Sequence, residues 1–472
     1  MKNRISRRKF IKTAGIGVAG LALGPGLMRN AFAKTSGRRT LRLLQWSHFV
    51  PKYDTWFDPF AKAWGEKHNV DVVVDHINLS DLRSTFASEV VAGKGHDLVQ
   101  FLSPPSDFEP SVLDLSDVNQ EAEKRFGKQV PLCKKSSYNP DTKKFYGFCP
   151  GWTIDPGDYR KSLWKKVGKP NGPRTWEDLL VYGGKIKKEL GVQAGIGMSQ
   201  ELDSNMAGRA LLWSYNSSIQ DENERVILDN KRTIESVKYM KDLYEQALTP
   251  EVFGWTPASN NQLLIAGRAS YILNSISAYR SAQHDVPKIA KDIYFTPALK
   301  GPEGIGWASE HVIYVSVIPK FAAKNADLAK QFLLDLVANY DEAIWNSELY
   351  NSPSFFNVPI PHGKRDYPPV KGAKTMRDIW RVWFNKDPFA LPGEATDKLV
   401  AIENAESWAT NIGHPGPANP AIGEIFSTFV IPSMYAVAAQ KEKTPEEAVK
   451  QAAAQCKTIF EKWQAQGLIK KH

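Results

Sequence analysis

Cysteine is scarce in this chain, three in 472 residues, which excludes a disulfide-stapled scaffold. Glycine (33) and proline (30) stay near average usage, so collagen-like and low-complexity classes are excluded as well. The familiar chemical motifs are missing too. No GxGxxG follows the first strand-like run and there is no GxxxxGKS, so dinucleotide and ATP sites lack their phosphate-cradling turns. HExxH, an EF-hand loop, CxxC and GxSxG are all absent, which leaves a catalytic metal or a hydrolase without a motif. Nine scattered histidines read as surface or core residues. No cofactor and no metal is expected.

The net charge of +10 suggests a nucleic-acid partner only until it is located. Seven of those charges, Lys2, Arg4, Arg7, Arg8, Lys9, Lys12 and Arg29, fall in residues 1–33, which hold no acid. The remaining +3 gives no polyanion footprint, so no nucleic-acid partner is expected. What is present, 42% hydrophobic and 24% charged residues, fits a globular chain long enough for two or three units. Tryptophan is the anomaly, at 14 residues.

Residues 1–33 read as an address. A basic stretch precedes a weakly apolar run at 13–27, too short for the ~20 residues that span a bilayer, and Ala31-Phe32-Ala33 offers small residues before a cut at about Ala33. Within it, Ser6-Arg7-Arg8-Lys9-Phe10-Ile11-Lys12 resembles the twin-arginine motif S-R-R-x-F-L-K. The resemblance implies the twin-arginine translocase as a partner, with Arg7 and Arg8 as the signal, and a periplasmic destination. No cysteine stands at the cut, so a lipid anchor is not expected there.

Beyond it, strand-like runs at 40–46, 70–77 and 97–102 alternate with helical spacing at 56–68 and 81–92. The Val72-Val73-Val74 run suits a buried parallel sheet, and Gly93 and Gly95 end the second helix. This β-α-β-α-β order predicts an open sheet with helices on both faces, and ligands of such sheets bind at the carboxyl ends of the strands. Residues 138–148 read as a hairpin turning at Asn139-Pro140-Asp141, and Thr175 as a helix cap with Glu177 and Asp178 in the first turn. Cys133 and Cys149 flank that hairpin, about which 133 falls opposite 148. A bridge between them is geometrically open but would need a bulge. Cys456 reads as a buried thiol of the last helix.

Four stretches then resemble bacterial extracellular solute-binding proteins of family 1, the class of the maltodextrin-binding proteins. They are the amino-terminal βαβαβ closing on Gly95-His96-Asp97, with His where the family shows Pro, and 143–150 (KKFYGFCP) running on to 173–179. The others are 261–272 (NQLLIAGRASYI) and 319–336 (PKFAAKNADLAKQFLLDL), with Thr444-Pro-Glu-Glu-Ala448 near the end. The resemblance implies an α/β fold of the two-lobe periplasmic-binding-protein type (type II-like), each lobe an open sheet flanked by helices, with the ligand cleft between. It implies a first lobe of 40–148 plus about 300–350 and a second of about 149–299 plus about 352–472. Crossings are expected near 147–152, 295–305 and 351–356.

It also implies a monomer that captures a carbohydrate or polyol by closing its lobes and hands it to the membrane permease of an ABC importer, without catalysis. Sugar recognition needs flat apolar faces and planar polar groups. Trp46, Trp152 and Trp307 are the stacking candidates, with Trp213 and Trp255 behind them. Core packing explains a tryptophan equally well. The polar candidates are His48, Ser80, Ser103, Glu201, Asn205, Asn274, Glu310 and Asn419, beside Asn78, Asp107, Asp203, Ser275 and His311. Asn274 stands where the family often carries a stacking tryptophan. Two alternatives stay open: the same fold with a polyamine, an organic acid or a phosphorylated polyol, the last two calling for arginines such as Arg83, Arg209 or Arg280, or a secreted glycoside-active enzyme with two carboxylates across a cleft.

Overall fold

The computed structural model describes residues 37–361, 365 and 367–471, so the export signal expected at 1–33 lies outside the described residues. Among these, the strands begin with β1 (Arg39–Trp46), β2 (Val70–Ile77), β3 (Leu98–Phe101), β4 (Tyr138–Asn139), β5 (Lys144–Phe145), β6 (Gly151–Thr153), β7 (Gly157–Arg160) and β8 (Gln193–Gly195). They continue with β9 (Ala269–Leu273), β10 (Ile293–Thr296), β11 (Ala308–Ser309), β12 (Val312–Ile313), β13 (Val315–Val317), β14 (Ser352–Pro353) and β15 (Ala409–Thr410).

Leu41, Leu43 and Leu44 bury β1, and its parallel partner β3 is buried at all four residues. Continuous burial on both faces is what a sheet with helices on each side requires. The helix Lys52–His68 starts four residues before the position expected from spacing, because Pro51, at φ −61°, already holds the helical turn. It ends on Asn69 in the left-handed region. The helix Leu82–Ala92 ends on Gly93 at φ +63°, as the sequence suggests.

The first sheet has the order β13-β3-β1-β2 and the second β10-β7-β9-β8. The expectation of parallel pairing holds for β1 with β3 and for β8 with β9. It fails for β13 on β3 and for β7 on both its neighbours, which are antiparallel. These strands enter their sheets straight from the segments that pass between the two sheets, so no helical crossover forces them to run parallel.

Those passing segments form a ribbon of their own, β12-β6-β14, in which Trp152 stands opposite both Ile313 and Ser352. The second of them is β12, beyond the 295–305 region. Gly151 opens β6 at a point where no side chain fits: a Cβ would lie 1.6 Å from the Tyr340 hydroxyl and 2.8 Å from the Ser352 carbonyl oxygen. His48, at the end of β1, ties into the same ribbon. Its Nδ1 accepts from the Val50 amide at 2.9 Å, which leaves Nε2–H to donate to Asn351 Oδ1 at 3.2 Å. Tyr314 donates to the same oxygen at 2.6 Å and meets the Thr153 hydroxyl at 3.3 Å. Burial pushes the His48 pKa down to about 3, so the ring is a neutral hydrogen-bonding post.

The 138–148 hairpin forms with Tyr138 opposite Phe145. Cys133 is not on it: Pro131 starts a short helix, Pro131–Lys135, that takes the cysteine off the strand. Both cysteines are buried free thiols, as is Cys456 in the last helix, Pro445–Ala465.

Candidate functional site

A cleft of about 420 Å³ opens where strands of both sheets end. Ser80 and Arg83 follow β2, Ser103 follows β3, and Glu201 and Trp255 face them from the other side, with Phe426 closing one flank. The volume suits a small solute. The Arg83 guanidinium pairs with Asp107 and lies 5.2 Å from the Phe108 ring, so that charge is already matched. Ser80 is exposed on the rim, while Ser103 and Glu201 are buried.

Deeper lies a cluster of buried charge. His311, just before β12, donates from Nδ1 to Asp155 Oδ1 at 3.0 Å, and its Nε2 lies 4.0 Å from Asp203 Oδ1. Asp155 comes from the turn between β6 and β7, and Asp203 from the first turn of the helix Leu202–Ser214. Burial favours a neutral imidazole. The bond to Asp155 and the fields of Asp203 and Glu201 outweigh it, so the His311 pKa is raised. Burial drives the carboxyls up as well: Asp203 to about 6 against the pull of His311, and Glu201 to about 8 with the Asp203 charge adding to the effect. Glu310 rises to about 8 through burial, although its own amide, Arg209 and the Ile412 amide pull it down.

Several of these groups have no partner. Both Glu310 carboxylate oxygens and Asp155 Oδ2 accept no hydrogen bond of good geometry. Trp152 Nε1, Asn411 Nδ2 and the Arg209 Nε and Nη2 atoms are buried donors without an acceptor. Asp158, on β7, is fully buried with both oxygens unpartnered, and burial with the Asp155 charge holds its carboxyl well above the usual range. An unsatisfied buried polar atom costs roughly 1–3 kcal/mol, and native proteins tolerate few of them without a reason.

The structure gathers the sequence candidates unevenly. Trp46 is buried at the end of β1, its ring 6.4 Å from Tyr350, which in turn lies 6.3 Å from His311. Trp152 is central in the ribbon with its indole nitrogen unpartnered. Glu310 and Glu201 join the deep cluster and the cleft. His48 has both ring nitrogens engaged, Nδ1 by the Val50 amide and Nε2 by Asn351 beside the ribbon. Asn205 donates to the Phe426 carbonyl at 2.6 Å and accepts from Arg209. Asn274 bonds Asn261 and the Ser275 amide. Trp307 is half-buried, 4.8 Å from the His414 ring. Asn419 caps the helix Pro420–Ser427 through the Ile422 amide and donates to Gln220 and Glu224. Sequence reasoning passed over Asp155 and Tyr350. The one available signal for Asp155 was its place directly after the crossing strand.

The profile of bacterial extracellular solute-binding proteins matches residues 50–339. The chain belongs to this family. Among curated relatives, a binding protein of Brucella abortus is 24% identical over 44% of this chain, and the match spans about half, 49%, of that relative's length. The arabinooligosaccharide-binding protein of Bacillus subtilis is 23% identical over 64% of this chain and 70% of its own. Among solved structures, maltose-bound MalE3 of T. maritima superposes with a TM-score of 0.70 at 19% identity, covering 89% of this chain and 99% of that one. The two sheets joined by three passing strands are therefore the two-lobe fold of that protein, and the family is one of binding proteins.

Proposed function

We propose that this protein captures a carbohydrate or polyol in the cleft between its lobes and delivers it to the permease of an ABC importer. The reading rests on one observation: buried donors and acceptors from β6, from the turn after it and from the segments before β12 and after β15 gather behind the cleft with hydrogen-bonding capacity unused. A ring of hydroxyls, each both donor and acceptor, matches a set such as Asp155, Glu310, Trp152 and Asn411. The sugar and oligosaccharide ligands of the B. subtilis relative and of MalE3 support the same class.

On this reading the lobes meet at β6, β12 and β14, so the first lobe comprises about 40–150 and 314–350 and the second the remainder to 472. Trp46, Trp152, Ser103, Glu201 and Glu310 contact solute, Ser80 guards the rim, and closure about the ribbon commits the solute. Export through the twin-arginine translocase on Arg7 and Arg8, cleavage after about Ala33 and a monomeric periplasmic protein complete the proposal.

The test is a thermal-shift screen of residues 34–472 against sugars, polyols, polyamines and organic acids. A sugar or polyol at 100 times its dissociation constant adds about 2.7 kcal/mol of stability, and the solute is recovered unchanged. A shift only with organic acids or polyamines, or steady consumption of a sugar, overturns the proposal.

A further inference from the structure

We propose that the solute is a glycoside with an aromatic aglycone, and that the cleft holds the aglycone. The inference rests on the carbohydrate reading above and narrows it. Nine of the seventeen residues lining the cleft are hydrophobic, and four of those are aromatic: Phe101, Trp255, Phe426 and Phe429. Phe101 comes from β3, and the other three from segments after β8. The Trp255 ring lies on Gly195 and Gly197, where a Cβ would come within 3.2 and 3.0 Å of the indole. Phe429 stands at φ +54° and ψ +35°, between the helices Pro420–Ser427 and Val430–Ala439. That is the left-handed region, which favours glycine and strains a bulky side chain. Strain of this kind gathers at ligand clamps, and here it carries an aromatic ring into the cleft wall.

Most polar groups of the cleft are spent at home. Arg83 is paired with Asp107. Glu201 gives its oxygens to the amides of Asp203 and Ser204 and so caps its own helix. The Ser84 and Ser427 hydroxyls each donate at 3.1 Å to a carbonyl of their own helical turn, and Thr256 meets Ser259 at 3.2 Å. Ser80 and Gln200 are exposed on the rim. Within the cleft that leaves the Ser103 hydroxyl and the buried Arg83 Nη1. A sugar ring seated there buries more hydroxyls than these walls can answer, and each unmet one costs stability. An aryl ring asks for none and offers its faces and edges to the aromatic walls. The glycosyl half is then the part for which the unused groups behind the cleft are kept.

The experiment is isothermal titration of residues 34–472 at pH 7. The probes are the phenyl glycosides of glucose, galactose, xylose and arabinose, each beside the methyl glycoside of the same sugar and anomer, with maltose, cellobiose and phenol. The expected result is that one phenyl glycoside binds at least roughly tenfold tighter than its methyl counterpart and than either disaccharide, the scale of burying an aryl ring. Phe429→Gly then removes most of that preference. It also relieves the left-handed backbone, so it melts near the wild-type temperature and the loss is not one of folding. Trp255→Leu, checked by melting in the same way, removes the preference too. If a methyl glycoside or a disaccharide binds as tightly as the phenyl glycoside, or the preference survives both substitutions, the inference falls and the carbohydrate reading stands. If phenol alone binds as tightly as the phenyl glycoside, or no sugar or glycoside of the panel binds, both fall.

Discussion

Around Arg280 and Lys398 every buried charge meets its opposite. Arg280 donates twice to Asp387, at 2.8 and 3.1 Å, and its Nε bonds the Glu348 carbonyl. Lys398 donates to Glu394 at 2.6 Å and to the Ala290 carbonyl, while Gln283 closes the gap between the two pairs. Around Asp155 and Glu310, equally deep in the molecule, His311 meets one Asp155 oxygen, while the other Asp155 oxygen and both Glu310 oxygens are unused. Both regions bear the desolvation of ions. In the first it is offset within the chain, so the network is architecture. In the second it is left open, which is how a site that must wait for a partner differs from one that need only hold together.

The largest expected effect breaks the matched region. Asp387→Ala strands Arg280 in the core and costs about 3–5 kcal/mol in urea unfolding. Glu310→Gln is the counterpart in the open region. It leaves stability without solute unchanged near pH 4 and raises it increasingly from pH 6 to 9, while weakening solute binding by roughly tenfold or more in titration calorimetry.

The two regions also oppose each other in pH dependence. Glu201 and Glu310, pushed up to about 8, bind protons more tightly when folded, so their contribution to stability is fullest below pH 4 and is lost as pH rises to about 8. Each pKa unit is worth about 1.4 kcal/mol. The Glu394 pKa is lowered, because Lys398, the Leu391 amide and Gln283 outweigh burial. Its contribution is present above the usual carboxylate range and disappears as pH falls. Melting curves without solute from pH 4 to 9 should fall toward alkaline pH, and a Glu201→Gln, Glu310→Gln double variant should flatten the fall. A flat wild-type curve would sink the contrast.

Smaller effects sharpen it. Asn351→Ala leaves the His48 Nε2–H and the Tyr314 hydroxyl without their shared acceptor and costs about 1–3 kcal/mol, read by chemical denaturation. Ser80→Ala, on the exposed rim, changes stability by less than about 0.5 kcal/mol.

Much of the fold was legible before any coordinates. Gly93 as a helix stop and the Thr175 cap each act through local backbone preference, and each stands where local physics puts it. The valines of β2 form the expected strand, but at the sheet edge, where Val73 is exposed, so the buried position read from Val72-Val73-Val74 does not hold. The candidate site was legible only in part. Trp46 and Glu201 were found because they end or follow strands, and Glu310 because it follows Trp307. Asn205, Asn274 and Asn419 follow turns just as plausibly, yet their amides are engaged by the Phe426 carbonyl, by Asn261 and by Gln220 and Glu224. A polar residue in a loop carries no mark of whether its hydrogen bonds will be met at home.

By itself the sequence determined the family, the opening β-α-β-α-β succession and local signals such as the Gly93 stop and the Thr175 cap, since these depend on residues within a few positions of one another. The tertiary structure decided strand direction in the second sheet, the ribbon of three passing strands and the meeting of Asp155, Asp203 and His311, whose numbers span more than 150 positions. Which buried charges find partners is settled by contacts between distant segments, and that accounting separates the Arg280 network from the open cluster at Glu310.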